Sequence, residues 1–195
     1  QSWLADVPQR EGLRERLTQL QAFERYGLPE KHGGAYYFTY NDGTMQQSVL
    51  CRMHALTAER EIVVDPNRLS TDGTVSLGGG SYSRDGRFLA YGLSDGGSDW
   101  RTWRVLDLGT LTEFPERLEW IKFTQPAWDH EGSGFYYSRY PATDDRLEAR
   151  NEAQQVYYHR VGTPQDQDQM VYEDPEHPNQ MYSSLVTDDG RFLLL

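Results

Sequence analysis

Gly92-Leu93-Ser94-Asp95-Gly96 matches the G-x-S-x-G pattern that carries the nucleophile of many serine hydrolases. That chemistry needs a strand, a strained turn holding the serine, and then a helix. Here the sequel from Gly97 to Leu106 brings another glycine and then alternates like a strand, so the segment reads as a hairpin turn and Ser94 as no nucleophile. Gly78-Gly79-Gly80 lacks the following helix that a phosphate cradle requires, and reads as a place where strands crowd near an axis. Asp129-His130-Glu131 has ligand-type side chains, yet it occupies the slot of a polar turn, and His32, His54, His130, His159 and His177 show no metal spacing. Cys51 is the lone cysteine, set in the apolar run Val49-Leu50-Cys51, which makes it a small buried hydrophobe and excludes an intrachain disulfide. No nucleophile, base and oxyanion hole assemble from these residues, and no cofactor or metal is expected.

The elements that would position such residues repeat. Ser83-Arg84-Asp85-Gly86-Arg87-Phe88-Leu89-Ala90-Tyr91 returns as Trp128-Asp129-His130-Glu131-Gly132-Ser133-Gly134-Phe135-Tyr136-Tyr137, then as Thr187-Asp188-Asp189-Gly190-Arg191-Phe192-Leu193-Leu194-Leu195. Each copy is a polar turn closed by glycine and followed by an apolar strand. The turn glycines lie 46 and then 58 residues apart, the period of a β-propeller built from one four-stranded sheet per repeat. Strands are expected near 35–40, 48–55 and 61–65, then near 76–82, 87–93, 100–107 and 111–114. A third unit has strands near 121–128, 134–140, 154–161 and 168–173, and residues 181–195 open a fourth. Asp144 to Glu152 is charged and aperiodic, an exposed loop. One helix precedes the strands: between residues 9 and 25, Leu13, Leu17 and Leu20 recur at spacings of four and three. The expectation is an all-β, incomplete β-propeller of about three blades with one N-terminal helix, a piece of a longer protein because three blades and a fraction close no ring.

Composition agrees with half-wetted strands. Aromatic residues make up 13% of the 195, with 13 tyrosines and 5 tryptophans. That argues against disorder despite a mean hydropathy of -0.78. A net charge of -11 argues against a nucleic-acid partner, since phosphate binding needs clustered lysine and arginine. Lys31 and Lys122 are the only lysines. No apolar run is long enough to span a membrane. With no visible signal segment, cytoplasm is the default compartment, with the periplasm as the alternative.

Longer strings carry a resemblance. Asp65-Pro66-Asn67-Arg68-Leu69-Ser70-Thr71-Asp72-Gly73-Thr74-Val75-Ser76-Leu77 resembles the first-blade linker of the prolyl oligopeptidases, and Gly97-Ser98-Asp99-Trp100 and Ile121-Lys122-Phe123-Thr124 follow in the same order. Gly134-Phe135-Tyr136-Tyr137-Ser138-Arg139-Tyr140-Pro141 and Val156-Tyr157-Tyr158-His159 continue it, so the likeness runs from about residue 8 to the end. The family's upstream Asp-Pro-Tyr-type motif is missing.

The resemblance implies a seven-bladed propeller that caps an α/β-hydrolase domain with a Ser-Asp-His triad, and that admits short peptides for cleavage after proline. It places residues 1–26 in a helical arm on the hydrolase side, and residues 27–195 in blades one to three and the start of blade four. The hydrolase domain and its triad would lie beyond residue 195, so no catalytic residue is assigned. The implied partners are short proline-containing peptides and the C-terminal hydrolase domain of the same protein. The implied substrate-facing residues are Phe123, in an apolar subsite wall, and Asp99, near the domain interface where a carboxylate pairs with an arginine. Their plainer readings are a core aromatic and a turn cap. The rival functions are an oligopeptidase B-like enzyme cutting after basic residues, a non-enzymatic binding propeller, and a propeller glycosidase or lactonase.

Overall fold

A computed structural model describes residues 7–144 and 150–195. Residues 145–149 of the charged insert lie outside the described residues. The helix α1 spans Arg10–Gln21, and no residue in it is buried. The chain then joins the first sheet: β1 (Arg25–Tyr26) and β2 (Glu30–His32) both pair with β3 (Ala35–Asn41), followed by β4 (Val49–Met53) and β5 (Glu61–Val64). The second sheet has β6 (Ser76–Tyr82), β7 (Phe88–Ser94), β8 (Arg101–Asp107), β9 (Thr112–Glu113) and β10 (Leu118–Ile121), the last two lying along the same edge of β8. The third holds β11 (Ala127–Trp128), β12 (Gly134–Arg139), β13 (Gln155–Arg160) and β14 (Gln169–Tyr172). β15 (Leu185–Val186) and β16 (Leu193–Leu194) begin a fourth. Every pairing is antiparallel between strands near in sequence, the meander of propeller blades, and among the described residues the sheets form an incomplete propeller.

One expected strand is corrected. Residues 121–128 are not a single strand of the third blade. Leu118–Ile121 closes the second blade on β8, and only Ala127–Trp128 begins the third. The backbone explains the break: Phe123 at φ 58° sits in the left-handed region just past β10 and turns the chain out of the strand, while Trp120 at φ 64° lies within β10 where its register on β8 shifts.

The blades meet through alternation along β7, a strand buried at every position. Leu89, Tyr91 and Leu93 pack with Ala35, Tyr37 and Val64 of the first blade. Phe88 and Ala90 face the other way, joining Trp128, Phe135 and Tyr137 of the third. A two-residue period thus builds two cores from one strand. Fully buried Leu89 and Phe135 each contribute about 2 kcal/mol of transfer free energy. The Trp128 indole N–H adds a polar tie across the second seam, donating to the Ser81 carbonyl at 2.9 Å.

The repeated turn is one structure used twice with the same bonds. Ser83 Oγ donates to Asp85 Oδ1 (2.7 Å) and accepts from the Phe88 N–H (2.8 Å). Thr187 Oγ1 does the same with Asp189 (2.6 Å) and Phe192 (3.1 Å). Gly86 and Gly190 both turn at φ 69°.

Candidate functional site

The antiparallel order puts alternate connections on opposite rims. The β2–β3, β6–β7 and β11–β12 turns share one rim, where Gly33 and Gly86 meet so closely that a Cβ on Gly33 would lie 2.9 Å from the Gly86 carbonyl oxygen. The other rim gathers the β3–β4 loop, the link from β5 to β6, the β7–β8 turn and the β10–β11 link. Thr74 in the β5–β6 link donates to Asp95 in the β7–β8 turn at 2.7 Å, tying two of these connections together. The helix enters on this same rim. Its trailing residue Phe23 lies against Gly43 in the β3–β4 loop, leaving only 2.5 Å between a Cβ there and the Phe23 nitrogen.

Asp99 and Phe123 both lie on this helix-side rim. Asp99 is exposed in the β7–β8 turn, and the cap of that turn comes from its neighbour: Ser98 Oγ accepts the Trp100 N–H at 3.2 Å. Phe123 is 51% exposed, which separates it from the core aromatics around it. Its left-handed backbone is unusual for a bulky residue and turns the chain from the second blade to the third.

Sequence neighbours join the two positions. Trp100, 7% exposed, meets Trp120 edge-on with ring centres 5.5 Å apart, and Tyr140 likewise at 6.0 Å. Lys122 Nζ stands 3.8 Å from the centre of the Trp100 ring and donates to Asn151 Oδ1 at 3.1 Å. Aromatic spacing gave no hint of this group, because its members come from β10 and three different connections.

The other candidates resolve locally. Ser94 ends β7 and donates to the Ser98 carbonyl inside the hairpin turn, with strand β8 rather than a helix after it. Gly78 to Gly80 lie within β6, where a Cβ on Gly78 would come 3.0 Å from Arg101 Nε; the missing side chains leave room for that arginine. Asp129 folds the third-blade turn by accepting from Ser133 N–H (3.0 Å) and from the Tyr158 hydroxyl (2.7 Å). Burial and that carboxylate push the Tyr158 hydroxyl up to about 12. Cys51 is fully buried, and burial raises its thiol.

Sequence reasoning missed a charged group in the core. His159 and Asp168 join at 2.7 Å, with Glu116 3.7 Å from the other ring nitrogen, and all three side chains are shielded from solvent. Nothing in their spacing of 9 and 43 residues announces it.

Comparison with known proteins agrees with this architecture. The family described as prolyl oligopeptidase, N-terminal beta-propeller domain, matches residues 1–195. A prolyl endopeptidase of Elizabethkingia meningoseptica is 36% identical over 197 aligned residues, covering 100% of this chain and 28% of that protein. Prolyl oligopeptidase A of Amanita bisporigera is 32% identical, over 100% of this chain and 29% of its own length. Among solved structures, prolyl oligopeptidase B from Galerina marginata bound to a 35mer hydrolysis and macrocyclization substrate superposes with a TM-score of 0.85 at 30% identity, over 98% of this chain and 30% of that one. The chain thus spans less than a third of the length of these relatives. Its sheets, its turn repeat and its sequence from end to end place it in the N-terminal β-propeller domain family of the prolyl oligopeptidases.

Proposed function

We propose that this chain is the gating propeller of a serine peptidase that cleaves short peptides after proline. The chemistry would be acyl transfer by a Ser-Asp-His triad in a hydrolase domain carried by the same protein, with an oxyanion hole for the tetrahedral intermediate. The propeller supplies no catalytic residue in this reading; it excludes folded proteins and forms part of the wall that meets the peptide on the N-terminal side of the cut. Residues 1–26 belong to the hydrolase side and residues 27–195 to blades one to three and the opening of blade four. Cytoplasm is the proposed compartment; no helix among the described residues is long and apolar enough to cross a membrane.

The observation that carries this reading is the shared rim. The exposed apolar stripe of α1 (Leu13, Leu17 and Leu20), the exposed carboxylate of Asp99, which has no ion pair among the described residues, and the half-exposed ring of Phe123 all belong to one side of the blades. A hydrolase domain resting on that side would cover the helix, offer an arginine to Asp99, and leave Phe123 as an apolar wall of the cavity between the domains.

The test is the whole protein on a chromogenic Gly-Pro substrate beside an arginine substrate. Turnover after proline, stopped by a serine-directed inhibitor, is expected. Preference for arginine would move the protein to the basic-residue branch, and inertness on both would leave a binding propeller.

A further inference from the structure

Lys122 breaks two habits of a surface lysine. Its ammonium is not extended into water; it lies over the Trp100 ring and is held by Asn151. It also sits between two left-handed residues, Trp120 and Phe123, in a link whose backbone needs support from outside. Two supports are the Tyr140 N–H donating to the Trp120 carbonyl at 2.9 Å and Thr124 Oγ1 donating to the Ser138 carbonyl at 3.3 Å. Lys122 provides a further one, because a cation over an indole face is attracted by the ring quadrupole, more strongly as water is excluded. Its neighbour in the chain is Phe123, and the neighbour of Trp100 is Asp99.

We propose that Lys122 is a positioning residue, whose contact with Trp100 couples the Asp99 turn to the Phe123 link so that the carboxylate and the aromatic wall are presented to the peptide as one rigid unit. This rests on the reading that Asp99 and Phe123 face the cavity of a peptidase. Lys122 itself touches no substrate. With the cation gone, the two connections stay tied at their base by the Trp100–Trp120 edge contact and the Arg101–Ile121 pairing, but their tips loosen, and a peptide must pin both on binding. That cost falls on substrate binding rather than on the chemical step.

The experiment compares Lys122→Met, which keeps the stem and loses the charge, with Lys122→Arg, which keeps a cation over the ring. In the whole protein, Lys122→Met is expected to raise KM for a proline peptide long enough to reach Phe123 by about three- to tenfold, the scale of one partly desolvated cation–π contact. Its kcat stays unchanged, and Lys122→Arg returns KM to near the wild-type value. Hydrogen exchange supplies a readout that needs no activity: residues 95–99 and 122–126 should exchange faster together in Lys122→Met and not in Lys122→Arg. An unchanged KM, a loss confined to kcat, equal losses in both variants, or unaltered exchange in either loop would overturn the coupling. If the unmodified protein cuts nothing after proline, the peptidase reading fails on its own, and the exchange result still decides whether Lys122 joins the two loops.

Discussion

His159 Nδ1 lies 2.7 Å from Asp168 Oδ1, and neither side chain has any contact with solvent. The pair is anchored on both sides. Tyr137 donates its hydroxyl to the second oxygen of Asp168 at 2.6 Å, and Gln165 donates to that hydroxyl at 3.1 Å. Glu116, from the β9–β10 connection of the second blade, faces the other ring nitrogen at 3.7 Å and accepts the Gly162 N–H at 2.9 Å. A charge cluster therefore bridges the second and third blades. Burial pulls the His159 imidazole down, but the hydrogen bond to Asp168 and the nearby Glu116 carboxylate outweigh it and raise its pKa above the usual histidine value. Burial likewise pushes Glu116 up, and the His159 ring and the Gly162 N–H more than reverse that, leaving it lowered.

The signs set a pH window. A raised histidine contributes stability in full below its ordinary value of 6.5, and loses it as pH rises through the folded value. A lowered Glu116 contributes above its ordinary 4.5 and loses it as pH falls through its folded value. Stability from the cluster is expected to peak between these limits and to decline on the alkaline side. Unfolding of the whole protein across pH, wild type against His159→Gln, measures it. The variant should lose about 3 kcal/mol near pH 6, because it strands two buried carboxylates, and should lack the alkaline decline. The same alkaline slope in both proteins would remove His159 from the account.

A second prediction concerns the turn glycines. Gly86 and Gly96 share the left-handed conformation, at φ 69° and 59°, but a Cβ on Gly86 would fall 2.3 Å from Gly33 Cα, whereas one on Gly96 meets nothing within 4 Å. Gly96→Ala should cost only the conformational penalty, about 1 kcal/mol. Gly86→Ala must also part the first and second blades, and is expected to cost roughly 3 kcal/mol or more. Equal melting points for the two variants would mean that the contact between these turns carries no strain.

The turn motif was legible because the bonds it makes are local: Ser83, Asp85 and Gly86 satisfy one another within five residues. The continuous apolar run of β7 made that strand legible in the same way. The end of the second blade was not, because Leu118–Ile121 and Ala127–Trp128 are both β-prone and the left-handed turn at Phe123 separates them. Bulky residues give no warning of that conformation. The coupling of Lys122 to Trp100 and of His159 to Glu116 was invisible for a different reason. Both join separate connections or blades, and contact at that range is written in the tertiary fold rather than in spacing.

Phe123 permits a test that separates function from stability. Glycine adopts its φ of 58° freely, and the ring is half exposed, so Phe123→Gly removes backbone strain while losing little burial. Thermal stability is expected to change by less than about 1 kcal/mol. The kcat/KM for a proline peptide should fall about tenfold, the loss of one apolar wall of a subsite. A large drop in melting temperature with unchanged kcat/KM would return Phe123 to a structural role.

The helix α1 bears most directly on the proposed hydrolase domain. Leu13, Leu17 and Leu20 are 60%, 58% and 51% exposed, a stripe left uncovered among the described residues. Marginal helices of this length draw most of their stability from a packed apolar face, so α1 has a reason to be helical only if that face is covered elsewhere. Leu17→Glu in the whole protein should then cost about 3 kcal/mol, since it places a carboxylate in an apolar contact. The same substitution in the 195-residue chain should leave the signal of its strands unaltered, because the side chain touches no blade. If the whole protein tolerates Leu17→Glu as readily as the isolated chain, the helix is not docked on a hydrolase domain, and the assignment of residues 1–26 to that side falls with it.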